Sequence, residues 1–63
     1  MKQSLETWKN IFRNLAEAGE QVEVVWLTSG EWCLCADTEL FEDGFKTEDE
    51  ANDRLEYLEK TLL

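Results

Sequence analysis

Histidine and proline are absent from the 63 residues, cysteine occurs twice, glycine three times, and six basic residues stand against fifteen acidic ones. Without histidine, Ser4 and Ser29 have no evident general base, and cap or turn roles account for both. The same lack leaves Cys33-x-Cys35 short of a zinc site, which takes four ligands. Gly19, Gly30 and Gly44 are isolated and make no phosphate-cradling loop. The acids do not follow the regular oxygen-ligand spacing of a calcium loop. No metal and no cofactor is expected. A chain of this length has little room for a ligand pocket of about 300 Å³ or more, so no enzymatic activity is expected either.

Long apolar runs are also missing. The longest is Val24–Leu27, far short of the roughly 20 residues of a membrane span. The N-terminus, Met1 to Glu6, turns polar and acidic at once and does not read as a signal peptide. A cytoplasmic location is the expectation, and two cysteines fit a reducing compartment. Two residues apart on a strand, Cys33 and Cys35 sit about 6.6 Å apart, at the far edge of disulfide reach. They read as small buried hydrophobes. The formal charge of −9 argues against a broad basic surface for nucleic acid or an anionic membrane, and no direct binding to either is expected.

What is present is a foldable core. Apolar residues make up 43% of the chain and three tryptophans are among them, too apolar for a disordered acidic tail. Residues 1–63 read as one acidic α+β domain. Leu5, Trp8, Ile11, Phe12, Leu15 and Ala18 recur at helical spacing, with Ser4 placed as N-cap and Gly19 as the residue after the helix. On the opposite face Arg13 and Glu17 are one turn apart and able to pair.

After Gly19 the period becomes two. Val22, Val24 and Trp26 alternate with Glu23, Val25 and Leu27, the pattern of a strand. Thr28–Ser29–Gly30 fits a three-residue hairpin loop ending in a left-handed glycine. That loop sets Trp26 opposite Trp32, Val24 opposite Leu34 and Val22 opposite Ala36, giving one coherent apolar face. Residues 38–46 are ambiguous: Leu40 and Phe41 continue the strand, Asp43–Gly44 signals a turn, and Phe45–Lys46 returns as a short third strand. Thr47–Glu48–Asp49–Glu50 is a capping box, and Ala51, Leu55, Leu58 and Leu62 form the apolar stripe of a final helix. The predicted order is α-β-β-(β)-α, an antiparallel hairpin or three-stranded meander packed against two helices on one face.

Charge is unevenly spread. Residues 1–19 hold three basic and two acidic residues, whereas residues 20–63 hold three basic and thirteen acidic. Asp37, Glu39, Glu42, Asp43, Glu48, Asp49, Asp53 and Glu56 are the candidate acidic surface for a partner with a basic face; the bland alternative is a solvated face that keeps the chain soluble. Val25, Leu27, Cys33 and Cys35 are the candidate apolar interface. They share the sheet face that the helices leave open, and an uncovered apolar patch marks an interaction site.

The element order, with Gly44–Phe45–Lys46–Thr47–Glu48–Asp49–Glu50–Ala51 entering the last helix, resembles in outline a double-stranded-RNA-binding domain. In that family a glycine precedes a Ser-Lys-Lys run and an Ala-rich helix. Here acids occupy the places of the phosphate-binding lysines, so the resemblance implies the topology and not RNA binding. In size and charge the chain is also similar to accessory proteins of phages and prophages. The functional expectation is a non-enzymatic protein-binding module, an inhibitor or nucleic-acid mimic aimed at a basic host protein. The alternative is a homodimer whose acidity serves solubility only.

Overall fold

The computed structural model describes residues 2–37 and 39–63. Helix α1 (Leu5–Ala18) is followed by β1 (Glu23–Trp26), β2 (Trp32–Ala36), β3 (Glu39–Phe45) and α2 (Glu48–Leu62). The strands form one antiparallel sheet in the order β1-β2-β3. This is the predicted α-β-β-(β)-α order with the third strand formed.

Both helices start where the sequence places their caps. The Ser4 hydroxyl accepts the Thr7 N–H, and the Thr47 hydroxyl accepts the Glu50 N–H at 3.1 Å. The Glu50 carboxylate reaches back to the Lys46 N–H at 2.8 Å, so free donors at the start of α2 are satisfied. Gly19 closes α1 with φ 74, a conformation that costs other residues a Cβ clash. The expected Arg13–Glu17 pair gives way to a shorter-range one, with Arg13 donating to Asn10 Oδ1 at 2.9 Å.

The β1–β2 hairpin has the register set by its loop. Trp26 faces Trp32, Val24 faces Leu34, Val25 faces Cys33 and Glu23 faces Cys35. Leu27 N–H donates to the Glu31 carbonyl at 2.7 Å and Gly30 N–H to the Leu27 carbonyl at 2.9 Å. Gly30 has φ 95, the left-handed position of a three-residue loop. The ladder begins at Glu23, so the expected Val22–Ala36 pair falls outside it.

The ambiguous stretch is one strand and not two. Asp43–Gly44 is no turn. It lies inside β3, where Trp32 faces Phe45 and Leu34 faces Glu42, so two residues oppose Cys33 alone. Gly44 has φ 83, and a left-handed glycine in a β-bulge meets the same preference as one in a turn. A second irregularity follows, because Cys35 faces Leu40 and Phe41 is the extra residue. The chain reverses earlier, between Ala36 and Glu39, with Asp37 at φ 55. Thr38, the first residue of the ambiguous stretch, lies outside the described residues.

The core gathers Trp8 of α1, Leu34 and Ala36 of β2, Phe41 and Phe45 of β3, and Ala51 and Leu58 of α2. Ile11, Phe12, Leu15, Val22, Val24, Trp32, Leu55 and Leu62 pack around it. The sheet contributes to this cluster from its Val24/Trp32/Leu34 side, while Val25, Leu27, Cys35 and Leu40 stay outside it. Both helices therefore cover one face. Trp8 is the central ring, 5.5 Å from Phe12 and 5.5 Å, edge-on, from Phe41. No helix among the described residues is long and apolar enough to cross a membrane.

Candidate functional site

The eight predicted acidic residues separate into three groups. Glu42 is not at the surface. Its residue is 1% exposed, because the Phe41 bulge turns two successive side chains toward the helices. This corrects its assignment to a partner-binding surface. Glu42 Oε1 accepts Arg54 Nε at 3.1 Å, and Oε2 accepts Arg54 Nη2 at 3.1 Å. Oε2 also takes the Gln3 N–H at 3.0 Å and the Trp8 indole N–H. Arg54 Nη2 further reaches the Gln3 carbonyl, and Gln3 Nε2 donates to the Phe41 carbonyl. The segment before α1, α1 itself, β3 and α2 are thus tied at one carboxylate. Burial alone pushes the Glu42 carboxyl up, but the hydrogen bonds from Arg54, Trp8 and Gln3, with the Arg54 charge, hold it below its ordinary value. Among the described residues no buried side-chain nitrogen or oxygen lacks a partner, so the cluster is a structural clasp. Its sequence signal was the indole of Trp8: a tryptophan on an apolar stripe still needs an acceptor for its N–H.

Asp43, Asp53 and Glu56 are brought together by the packing of α2 on β3. Asp43 and Asp53 line one groove of about 500 Å³ with Lys2, Glu50, Arg54 and Tyr57. Asp53 and Glu56 border a smaller hollow of about 270 Å³ beside Tyr57 and Lys60. Glu50, absent from the predicted set because it belongs to the capping box, joins this side. Glu56 pairs with Lys60 at 2.8 Å, and that hydrogen bond and charge hold its carboxyl below the ordinary value. Asp53 lies one helical turn after Asp49 and one before Glu56, a spacing that aligns the three along α2.

Glu48 and Asp49 lie in the exposed first turn of α2, where the helix dipole favours acids. Asp37 and Glu39 stand exposed at the β2–β3 reversal. These four line neither of the hollows around Asp53.

The apolar interface residues also divide. Cys33 is 1% exposed, so it is removed from the candidate contact surface. It stands in the middle strand of the sheet, flanked by β1 and β3. Val25 is 37% exposed, Leu27 and Cys35 are half-buried, and Leu40, missed in the sequence because β3 was unassigned, adds a further 46%-exposed side chain opposite Cys35. Both thiols are free. Burial, then the neighbouring Cys35, pushes the Cys33 thiol up, which keeps it protonated at neutral pH. Among the described residues no three His, Cys, Asp or Glu side chains converge to hold a metal ion.

Comparison with protein-family models, with curated proteins and with solved structures finds no match for this chain.

Proposed function

We propose that the chain is a small, acidic, non-enzymatic protein-binding module that docks on the basic face of another protein. The observation that carries this reading is how the charge is distributed once the fold has formed. The Arg54 charge is taken up by buried Glu42 and the Lys60 charge by Glu56. Glu48, Asp49 and Asp53 remain exposed on α2, with no ion pair among the described residues. A helix anchored by a capping box and by the Glu42 clasp holds these carboxylates at fixed spacing. Glu48 and Asp49 lie side by side in the first turn, and Asp53 follows Asp49 by about 6 Å along the helix. Such a row presents to cationic side chains what a phosphate backbone presents, so the module competes with nucleic acid for its partner. An inhibitor of phage or prophage type fits this description.

The test is affinity capture from a cytoplasmic extract in about 0.15 M and about 1 M salt, where the Debye length falls from about 8 Å to 3 Å. The expected result is a captured basic protein that is released at high salt. Captured proteins that are neutral or acidic, and held equally at both salts, contradict the reading.

A further inference from the structure

The two edges of the sheet are unlike. The β3 edge carries two register irregularities, a left-handed Gly44 and the charges of Glu39 and Asp43, all devices that discourage pairing with another strand. The β1 edge carries a single charge, Glu23, and neither a register irregularity nor a left-handed residue. Its ladder is regular from Glu23 to Trp26, its one neighbour in the sheet is β2, and it contains no lysine and no proline. Trp26, at its end, is 55% exposed, the largest aromatic surface left outside the core.

The hydrogen-bond pattern determines which backbone groups that edge offers. Leu27 is bonded to Glu31 across the hairpin. Bonded and non-bonded pairs alternate along an antiparallel ladder, so Val25 and Glu23 also direct their N–H and C=O toward β2. Val24 and Trp26, and Val22 one step before the ladder, direct theirs away from the sheet. Their side chains all lie on the face that carries the helices.

We propose that β1 pairs with β1 of a second copy of this chain across a two-fold axis at Val24, joining two three-stranded sheets into one antiparallel sheet of six. The sequence about that axis is self-complementary. Val24 meets Val24 of the second copy, and Trp26 meets its Val22, apolar against apolar on the helix side. On the other side Glu23 meets Val25, so no two like charges stand directly opposite. About six backbone hydrogen bonds close the seam, from the N–H and C=O groups of Val22, Val24 and Trp26. The axis stands perpendicular to the sheet, so all four helices lie on the same side and the acidic row of α2 is left free. An isologous contact of this kind closes on itself at two copies.

Two chains of charge −9 repel, so the pairing strengthens as salt rises, opposite in sign to docking on a basic partner. This separates the inference from the functional reading, and either can fail alone. The experiment is sedimentation equilibrium of the full chain from micromolar to millimolar concentration in about 0.05 M and 0.5 M salt, with Trp26→Asp, Leu40→Asp and Val24→Pro. Trp26→Asp and Leu40→Asp add the same charge, one at the seam and one on the open face near the defended β3 edge. Proline at Val24 removes an outward N–H and spares the β1–β2 ladder. The expected result is a concentration-dependent dimer, tighter at high salt, weakened at least tenfold by Trp26→Asp and by folded Val24→Pro and less than twofold by Leu40→Asp. A single-chain mass at every concentration and salt overturns the inference. So does a dimer that survives Trp26→Asp and is lost in Leu40→Asp, which places the contact on the open sheet face.

Discussion

Glu42 on β3 and Arg54 on α2 meet in a two-pronged ion pair, with both N···O distances at 3.1 Å and the glutamate side chain fully buried. A buried pair of this kind is not a large net source of stability, because both charges leave water to make it. What it provides is position. Arg54 is the only cation of α2 besides Lys60, so the clasp fixes how α2 lies on the sheet and where the acidic row points.

Removing one partner exposes that dependence. Arg54→Met leaves a buried carboxylate held only by Trp8 and Gln3, and the expected loss is about 3–5 kcal/mol. Adding Glu42→Gln to it recovers part of the loss, since the uncompensated charge is gone. Urea melts of the two single variants and the double variant check this; strictly additive losses contradict the coupling.

The same pair sets the acid limb of stability. The folded-state carboxyl of Glu42 lies below its ordinary value, so the unfolded chain binds the proton more readily. Its contribution is complete above the unfolded value of about 4.3 and is lost as pH falls through the folded value. Stability therefore falls with decreasing pH below about 5, and the slope there is shallower in Glu42→Gln. Melting temperature against pH from 7 down to 2 is the measurement.

On the apolar stripe of α2, Leu58 is fully buried and Leu55 only partly so. Leu58→Ala is expected to cost about 2–5 kcal/mol, close to the whole stability of so small a domain, and Leu55→Ala distinctly less. Equal melting temperatures for the two variants contradict the packing.

Thiol labelling separates the cysteines. Cys33 is buried, with its thiol held protonated, and Cys35 is half-buried. Alkylation of the native protein near pH 8, followed by peptide mass analysis, is expected to modify Cys35 first, with Cys33 following only on unfolding.

Much of this fold was legible in the residues because its signals are local. Ser4, Gly19 and Thr47 mark helix ends through their own backbone hydrogen bonds, and Gly30 fixes a loop length that carries the whole β1–β2 register. β3 was not legible. Its two irregularities break the period of two, and Gly44 reads as a turn because a bulge and a turn make the same demand for positive φ. That one misreading carried two others with it. Glu42 looked like a surface acid, since nothing local distinguishes it from Asp43, and Leu40 was left off the open face. The partner of Glu42, Arg54, is twelve residues away on another element, and only the assembled core shows why a lone arginine stands in so acidic a segment.

The claim that the exposed carboxylates of α2 grip a basic protein is tested most directly by titrating the salt-releasable protein captured from extract. The ligands are the wild-type chain and a Glu48→Gln, Asp49→Asn, Asp53→Asn variant, which keeps Glu42, Glu50 and the fold. The expected result is an affinity at least tenfold weaker for the variant, with added DNA competing against the wild type. Equal affinities for the two chains, unaffected by DNA, contradict the account.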